Sequence, residues 1–320
     1  MAILRIIFLG TSAAIPTKNR NLSSTAVVRD NELLLFDAGE GVQRAIAEAK
    51  LGLNRKTKIF ITHMHGDHIV GLLGILQSMS MAMRDKPLDI YGPKEVYGFV
   101  RESIRYLRFG VTYPLNIHEV HESVVVDEKE YRVLATKGNH STTNFAYVIE
   151  EKKRAGVFHP KRAIRLGVPK GELWSILQRG KSVRVGRKVI KADAILGKSR
   201  PGRRIGISGD TRPDQKLIKF FSSCDVLIFD STYGEQHKDL ALERLHSTSR
   251  EAAIVCKRSK SRLLILTHFS SRYSDVIQLE KEAKRIHRNT IAANDMMMVL
   301  VPYPNEGKVE FDSIRVEQSS

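Results

Sequence analysis

The chain has 320 residues, enough to bury a substantial core in one large domain or two small ones. With 42% hydrophobic and 27% charged residues, and no apolar run near the roughly 20 needed to span a bilayer as a helix, it reads as a globular protein without a membrane span. Its net charge of +17, from 52 Lys+Arg against 35 Asp+Glu, points to a polyanionic partner. Cys224 and Cys256 form no CxxC, so they provide neither a disulfide framework nor a thiolate metal site.

The N-terminus is apolar but lacks a basic n-region and a small-residue cleavage site. It reads as a first strand, Leu4 to Leu9, and the protein as cytoplasmic. After the loop Pro16-Thr17-Lys18-Asn19-Arg20-Asn21, strands are expected at Ser24 to Val28 and Glu32 to Phe36. A helix follows at about Glu40 to Lys50, then a strand at Lys58 to Ile61.

That strand runs into His63-Met64-His65-Gly66-Asp67-His68, four metal-capable side chains in six residues. Alternate residues of an extended segment share a face, so His63 and His65 can hold one ion. The neighbours Asp67 and His68 project differently, which makes two adjacent metals the economical reading. Imidazole and carboxylate without thiolate suit zinc, with manganese or iron as alternatives.

Further helices are expected at Ile69 to Met83, whose Met79, Met81 and Met83 read as packing residues, and at Lys94 to Leu107. Strands are expected at Leu88 to Tyr91, Tyr131 to Thr136 and Phe145 to Ile149. Beyond the basic segment come strands at Arg204 to Ser208, Val226 to Phe229, Arg262 to Leu266 and Met298 to Val301. Helices fall at about Gln215 to Phe221, Ser249 to Lys257 and Ser274 to His287. The alternation implies a layered α/β architecture with sheet inside helices.

Residues 152–204 interrupt this pattern. Seventeen basic side chains face only Glu172 and Asp193, so the segment carries +15 of the total +17. Its many glycines and prolines suit a protruding arm of short hairpins and turns, inserted at about 152–203 in an otherwise single domain spanning 1–320. Lys161, Arg162, Arg165, Lys170, Arg179 and Lys181 are candidate phosphate contacts. Trp174 reads as the anchor of the arm's own apolar cluster, with stacking on a base or sugar as the alternative.

Three further ligand candidates each follow a strand: His140 in Gly138-Asn139-His140-Ser141, Asp210 in Ser208-Gly209-Asp210-Thr211, and His268 in Thr267-His268-Phe269-Ser270. With HxHxDH upstream, this order resembles the metallo-β-lactamase superfamily. The resemblance implies an αββα sandwich with two metals at one sheet edge. His63, His65 and His140 would hold the first, Asp67, His68 and His268 the second, and Asp210 would bridge them.

Local features narrow the resemblance. Leu245-His246-Ser247-Thr248 with Arg250-Glu251-Ala252-Ala253, the Pro16–Asn21 loop, and the arm's Leu166-Gly167-Val168-Pro169 and Gly171-Glu172-Leu173 are similar to elements of the tRNase Z family, short form. Glu172 stands where that family often has proline. The resemblance implies a two-zinc endoribonuclease that removes the 3′ trailer of precursor tRNA after the discriminator nucleotide. It would leave a 3′-hydroxyl on the tRNA and a 5′-phosphate on the trailer. Asp67 would orient the attacking water and His246 would be the general acid. Pro16, Lys18, Arg20 and Asn21 would meet nucleotides near the cut and reject a mature CCA end. A homodimer whose arm serves the partner's active site is also implied.

Three rivals share some of these features. A small-molecule hydrolase of thioesters, lactones or phosphodiesters leaves the basic segment without a use. A cleavage-and-polyadenylation type nuclease needs a large insertion where only 58 positions separate Asp210 from His268. A catalytically dead RNA-binding subunit would not retain every expected ligand and His246.

Overall fold

The computed structural model describes residues 3–304, 306–307 and 309–313. It divides into two compact units: a larger one from residues up to 128, 132–150 and 203 onward, and a smaller one from 129–131 and 151–202.

Two mixed sheets form the larger unit. The eight-stranded sheet runs Glu310–Ser313, Met297–Leu300, Leu4–Gly10, Ser24–Arg29, Glu32–Phe36, Lys56–Phe60, Leu88–Gly92, Leu115–Glu119. Its pairs are antiparallel up to Glu32–Phe36 and parallel beyond. The seven-stranded sheet runs Thr290–Ala292, Leu263–Thr267, Val226–Asp230, Arg204–Ile207, Phe145–Glu151, Tyr131–Lys137, Ser123–Asp127.

Side-chain alternation along each strand builds the layers. Ile7, Leu9, Leu33, Leu35, Ile59 and Ile61 pack outward with the helices Val42–Glu48 and Gly71–Met81. Phe36 and Phe60 point the other way, where Tyr147 of the second sheet meets them at centroid distances of 5.6 and 5.5 Å. The buried Tyr147 hydroxyl donates to the Ile61 carbonyl at 2.8 Å, so its one polar group is satisfied. On the far face of the second sheet, Leu227, Phe229, Leu264 and Leu266 pack with the helices Gln215–Phe220, Ser249–Arg258 and Ile277–Lys284. The order is helix, sheet, sheet, helix. Among the described residues no helix is long and apolar enough to cross a membrane.

Most expected elements are present, and the differences have local causes. The helical run behind His68 splits into Gly66–Ile69 and Gly71–Met81. It ends at Met81, so only Met79 packs in the core. Met81 and Met83 are 84% and 80% exposed, which corrects their reading as packing residues. The edge strands Leu115–Glu119 and Ser123–Asp127 were not anticipated: each is only five residues long and largely exposed, so its apolar signal is brief.

The smaller unit has its own core of Ala163, Val168, Leu177, Val183, Ile190 and Ile195. It is less irregular than its composition suggests. Two helices, Pro160–Arg165 and Glu172–Gln178, accompany the hairpin Val183–Val185 and Lys188–Ile190. Proline occupies the first turn of one helix, where no amide donor is needed. Gly167 and Gly180, at φ 74° and 78°, stop the two helices in the left-handed conformation that glycine tolerates. Residues that resembled loop punctuation are helix boundaries. Trp174 packs on Phe158 at 5.1 Å and donates its indole N–H to the Val168 carbonyl at 3.1 Å, the arrangement of an anchor.

Candidate metal centre and catalytic cleft

The site lies on turns that follow strands of both sheets. His63–His68 follows Lys56–Phe60, His140 follows Tyr131–Lys137, Asp210 follows Arg204–Ile207 and His268 follows Leu263–Thr267. Phe145 N–H donates to the Thr62 carbonyl at 2.9 Å, joining the two sheets beside the first histidine.

Seven side chains converge there. His63, His65, His140 and Asp210 offer ligand atoms within 4.8 Å of one another, and so do Asp67, His68 and His268. His63 Nε2 and His140 Nε2 lie 3.0 and 3.2 Å from His65 Nδ1. His68 Nε2 and His268 Nε2 are 3.2 Å apart, and each is 3.3 Å from Asp210 Oδ2. The same oxygen is 3.6 Å from His63 Nε2, which places Asp210 between the two sets.

The opposite ring nitrogens are already engaged. His63 Nδ1 meets Thr62 Oγ1 at 2.9 Å, His68 Nδ1 meets Asp37 Oδ2 at 2.8 Å, His140 Nδ1 meets the Leu245 carbonyl at 3.0 Å, and His268 Nδ1 meets Thr232 Oγ1 at 2.9 Å. Each ring is thereby oriented with Nε2 turned inward, the support typical of metal-ligating histidines. Ring nitrogens meeting carboxylate and one another without intervening donors form a site that a cation satisfies. The two cysteines are buried in the helix-side core and contribute nothing to it.

Electrostatics fit that donor set for His63 and the two carboxylates. At His68, burial is outweighed by the charges of Asp210 and Asp37, which raise it well above its ordinary value, so it must release a proton to take an ion. Burial, reinforced by the neighbouring imidazoles, holds His63 well below its ordinary value, in the neutral form a ligand needs. Burial would raise Asp210, but His268 and His68 hold it ionised, well below the usual carboxylate range. Asp67 is likewise lowered, by the hydrogen bond from His268 and the charge of His68, against the effect of burial.

His246 sits beside the cluster. Its ring is 5.3 Å from that of His268, and its Nδ1 is 3.0 Å from Asp230 Oδ2. Burial would depress it, yet the Asp230 charge and hydrogen bond lift it to about 9. Such a residue is protonated at neutral pH and has Nε2 available to the cleft it lines. Two contacts fix its backbone: Arg212 donates to its carbonyl at 2.6 Å, and the next helix begins with a reciprocal cap between Thr248 and Glu251. The cleft measures about 870 Å³ and is lined by Ile15, Asp67, His140, Tyr233, Arg244 and Arg272, among others.

The substrate candidates are placed unevenly. Pro16 and Lys18 are exposed, whereas Arg20 turns inward, its guanidinium donating to Thr11 Oγ1 and the Ala293 carbonyl at 2.6 and 2.8 Å. Asn21 donates its side-chain amide to the Leu9 carbonyl at 3.2 Å. Lys161, Arg162, Arg165, Lys170, Arg179 and Lys181 are all exposed on the smaller unit. Arg203 and Arg204, counted with the basic segment, belong to the larger unit: Arg203 donates to the Val301 carbonyl at 3.0 Å, and Arg204 pairs with Glu150. Sequence reasoning gave no role to Asp37, Asp230, Thr62 or Thr232. The first two end the runs Leu-Leu-Leu-Phe-Asp and Val-Leu-Ile-Phe-Asp, a signal of the same kind that singled out Asp210.

Comparison with known proteins adds relatives to this geometry. A family model described as the anti-Pycsar protein Apyc1 matches residues 4–145, less than half of the chain. Ribonuclease Z of Nitrosopumilus maritimus is 45% identical over 92% of the chain and 99% of its own length. Ribonuclease Z of Methanosarcina acetivorans is 39% identical over 95% of the chain and 100% of its own length. The crystal structure of human tRNase Z, short form, superposes with a TM-score of 0.69 at 25% identity, covering 94% of this chain and 99% of that one. A metallo-β-lactamase fold protein of Bacillus subtilis shares the fold at 16% identity, with a TM-score of 0.67, covering 94% of this chain and 100% of that one.

Proposed function

The chain belongs to the ribonuclease Z (tRNase Z) family of the metallo-β-lactamase superfamily, and from that premise we propose how it acts as a tRNA 3′-processing endoribonuclease. His63, His65 and His140 would hold one zinc ion and Asp67, His68 and His268 a second, with Asp210 shared; manganese is the alternative occupant. When bound, the ions would supply Lewis acidity to the scissile phosphate and to the attacking water. Asp67 would give one carboxylate oxygen to an ion and orient the attacking water with the other. His246, held by Asp230, gives its Nε2 proton to the ribose 3′-oxygen as the bond to phosphorus breaks. The cut falls after the discriminator nucleotide, leaving a 3′-hydroxyl on the tRNA and a 5′-phosphate on the trailer.

The observation that carries this reading is His246, raised to about 9 by Asp230 and lining the same open cleft as the ligand cluster. A small-molecule hydrolase would use the cluster equally well but would leave the basic unit idle. In the proposed reading, the protruding arm of about 152–203 binds the outer part of the tRNA through phosphates, recognising shape rather than sequence. The Pro16–Asn21 loop excludes a mature CCA end, with exposed Lys18 as its contact residue. The active species is a homodimer in which one subunit's arm serves the other's cleft. Exposed Met81 and Met83 at and just beyond the end of the helix Gly71–Met81, and exposed Tyr106 and Leu107 at the end of the helix Glu95–Leu107, offer apolar surface for such a contact.

The test replaces the bridging 3′-oxygen of a precursor tRNA by sulfur, a leaving group that needs no proton. His246→Ala is expected to lose about 10²–10⁴-fold in cleavage of the normal substrate and to recover most of it on the sulfur one. Equal loss on both would remove His246 from the role of general acid.

A further inference from the structure

We propose that Asp295 is a positioning residue for the reaction: it latches the loop of residues 14–21 so that the Ala14 amide stays on the Asp67 carboxylate. The inference deepens the reading above and rests on Asp67 belonging to the catalytic centre.

Asp295 lies 228 positions beyond Asp67 in sequence, yet a continuous set of hydrogen bonds joins them. One carboxylate oxygen of Asp295 accepts the Thr11 hydroxyl at 2.6 Å, and the other accepts the Asn21 backbone N–H at 2.6 Å. The Thr11 hydroxyl in turn accepts Arg20 Nη1 at 2.6 Å, so it relays between the guanidinium and the carboxylate. Arg20 also donates to the Ala293 carbonyl at 2.8 Å and to Asn294 Oδ1 at 3.0 Å, and lies 4.9 Å over the Phe269 ring. Every described contact of this guanidinium is therefore internal to the protein. Its geometry is that of a fastening, not of an RNA contact.

The fastened loop closes on itself, with Thr17 N–H on the Arg20 carbonyl at 2.8 Å and Ser12 N–H on the Asn21 carbonyl at 2.9 Å. Its near end reaches the catalytic centre. Ala14 donates its amide to Asp67 Oδ2 at 2.7 Å from a backbone φ of 55°, a conformation alanine holds only when its surroundings impose it. Ser12–Ala13 also pairs with Phe269–Ser270, directly after His268. An amide aimed at a carboxylate fixes its rotamer and favours its ionised form. Releasing the latch frees Ala14 to relax from its strained conformation, and Asp67 then loses its orientation.

The experiment uses the full chain carrying Asp295→Asn, which exchanges one carboxylate oxygen for an amide nitrogen that cannot accept a hydrogen bond, and separately Arg20→Lys. Five quantities are measured: kcat and KM on precursor tRNA, kcat on bis(p-nitrophenyl) phosphate, zinc affinity by competition with a chromophoric chelator, and thermal melting. Both variants are expected to lose about 10–100-fold in kcat on both substrates, with zinc affinity falling in the same range. KM for the tRNA should move by less than about threefold. An unchanged kcat with a raised KM would make Arg20 an RNA contact and overturn the proposal. Full activity per folded molecule with only a lower melting temperature would overturn it too, by making the latch purely structural. If Asp295→Asn fails to fold, Arg20→Lys decides. A wild-type chain that hydrolyses the small diester but not precursor tRNA would contradict the function above, while the small diester would still decide the latch.

Discussion

His246 Nδ1 lies 3.0 Å from Asp230 Oδ2, and the Asp230 charge raises its imidazole against the effect of burial. Replacing Asp230 with asparagine keeps the shape but removes the negative charge that raises the imidazole, so the pKa of His246 falls and its acid form is lost at lower pH. The alkaline limb of the pH–rate profile for precursor tRNA should therefore shift to lower pH, with kcat down about 10–100-fold; an unmoved limb would separate the two residues. The ligand candidates were legible in sequence because imidazoles and carboxylates at strand ends have few bland explanations when seven of them recur in order. Asp230 ends an apolar run as Asp210 does, but it was passed over because no ligand-type motif around it set it apart from a turn residue. Arg20 was misleading for a related reason. A basic residue in a proline-bounded loop suggests an anion outside the protein, and only the fold shows Asp295 and the Ala293 carbonyl waiting inside. Residue type gives the chemistry, and direction needs the tertiary structure.

At the scale of elements, two close approaches make sharp tests. A Cβ on Gly71 would lie 1.9 Å from the Gly39 carbonyl oxygen, so the helix Gly71–Met81 can pack behind His68 only without a side chain there. Gly71→Ala should destabilise the fold by about 1–3 kcal/mol, read by denaturant unfolding. Glu122 ties strand end to helix: it accepts Thr136 Oγ1 and Lys137 N–H at 2.8 Å and pairs with Lys216. These contacts, led by Lys216, lower its carboxyl to about 2. A carboxylate depressed on folding stabilises the protein above its unfolded pKa, near 4.3, and that contribution disappears as pH falls towards the folded value. Glu122→Gln should thus melt lower than the native chain at pH 7, and the gap should close between about pH 4.5 and 2; a pH-independent gap would rule out the charge as the cause. Strands buried on both faces were easy to find from their apolar runs. The helices of the basic segment were missed because glycines that cap short helices look the same in sequence as glycines that break them.

In the whole molecule, the proposed labour is divided between a catalytic cleft and a charged unit with its own core. Gly156 can test that division without deletion, since a Cβ there would lie 1.9 Å from the Gly197 carbonyl oxygen and strain only the smaller unit. Gly156→Ala should raise KM for precursor tRNA and flatten the salt dependence of binding, while hydrolysis of a small phosphodiester continues. Equal loss of both activities would tie the unit to the chemistry itself. The charge asymmetry behind this division, the inserted segment and its own apolar cluster around Trp174 were visible in the sequence, whereas the short helices that build that cluster were not. The central claim is that a metal-dependent cleft makes one defined cut in precursor tRNA. Mapping the cleavage of a 3′-extended precursor tRNA at nucleotide resolution, with and without chelator, tests it most directly. A single cut after the discriminator nucleotide is expected, with a 3′-hydroxyl and a 5′-phosphate, abolished by chelator and restored by zinc or manganese. Scattered cuts, a cut indifferent to chelator, or an intact precursor beside a hydrolysed small diester would contradict it.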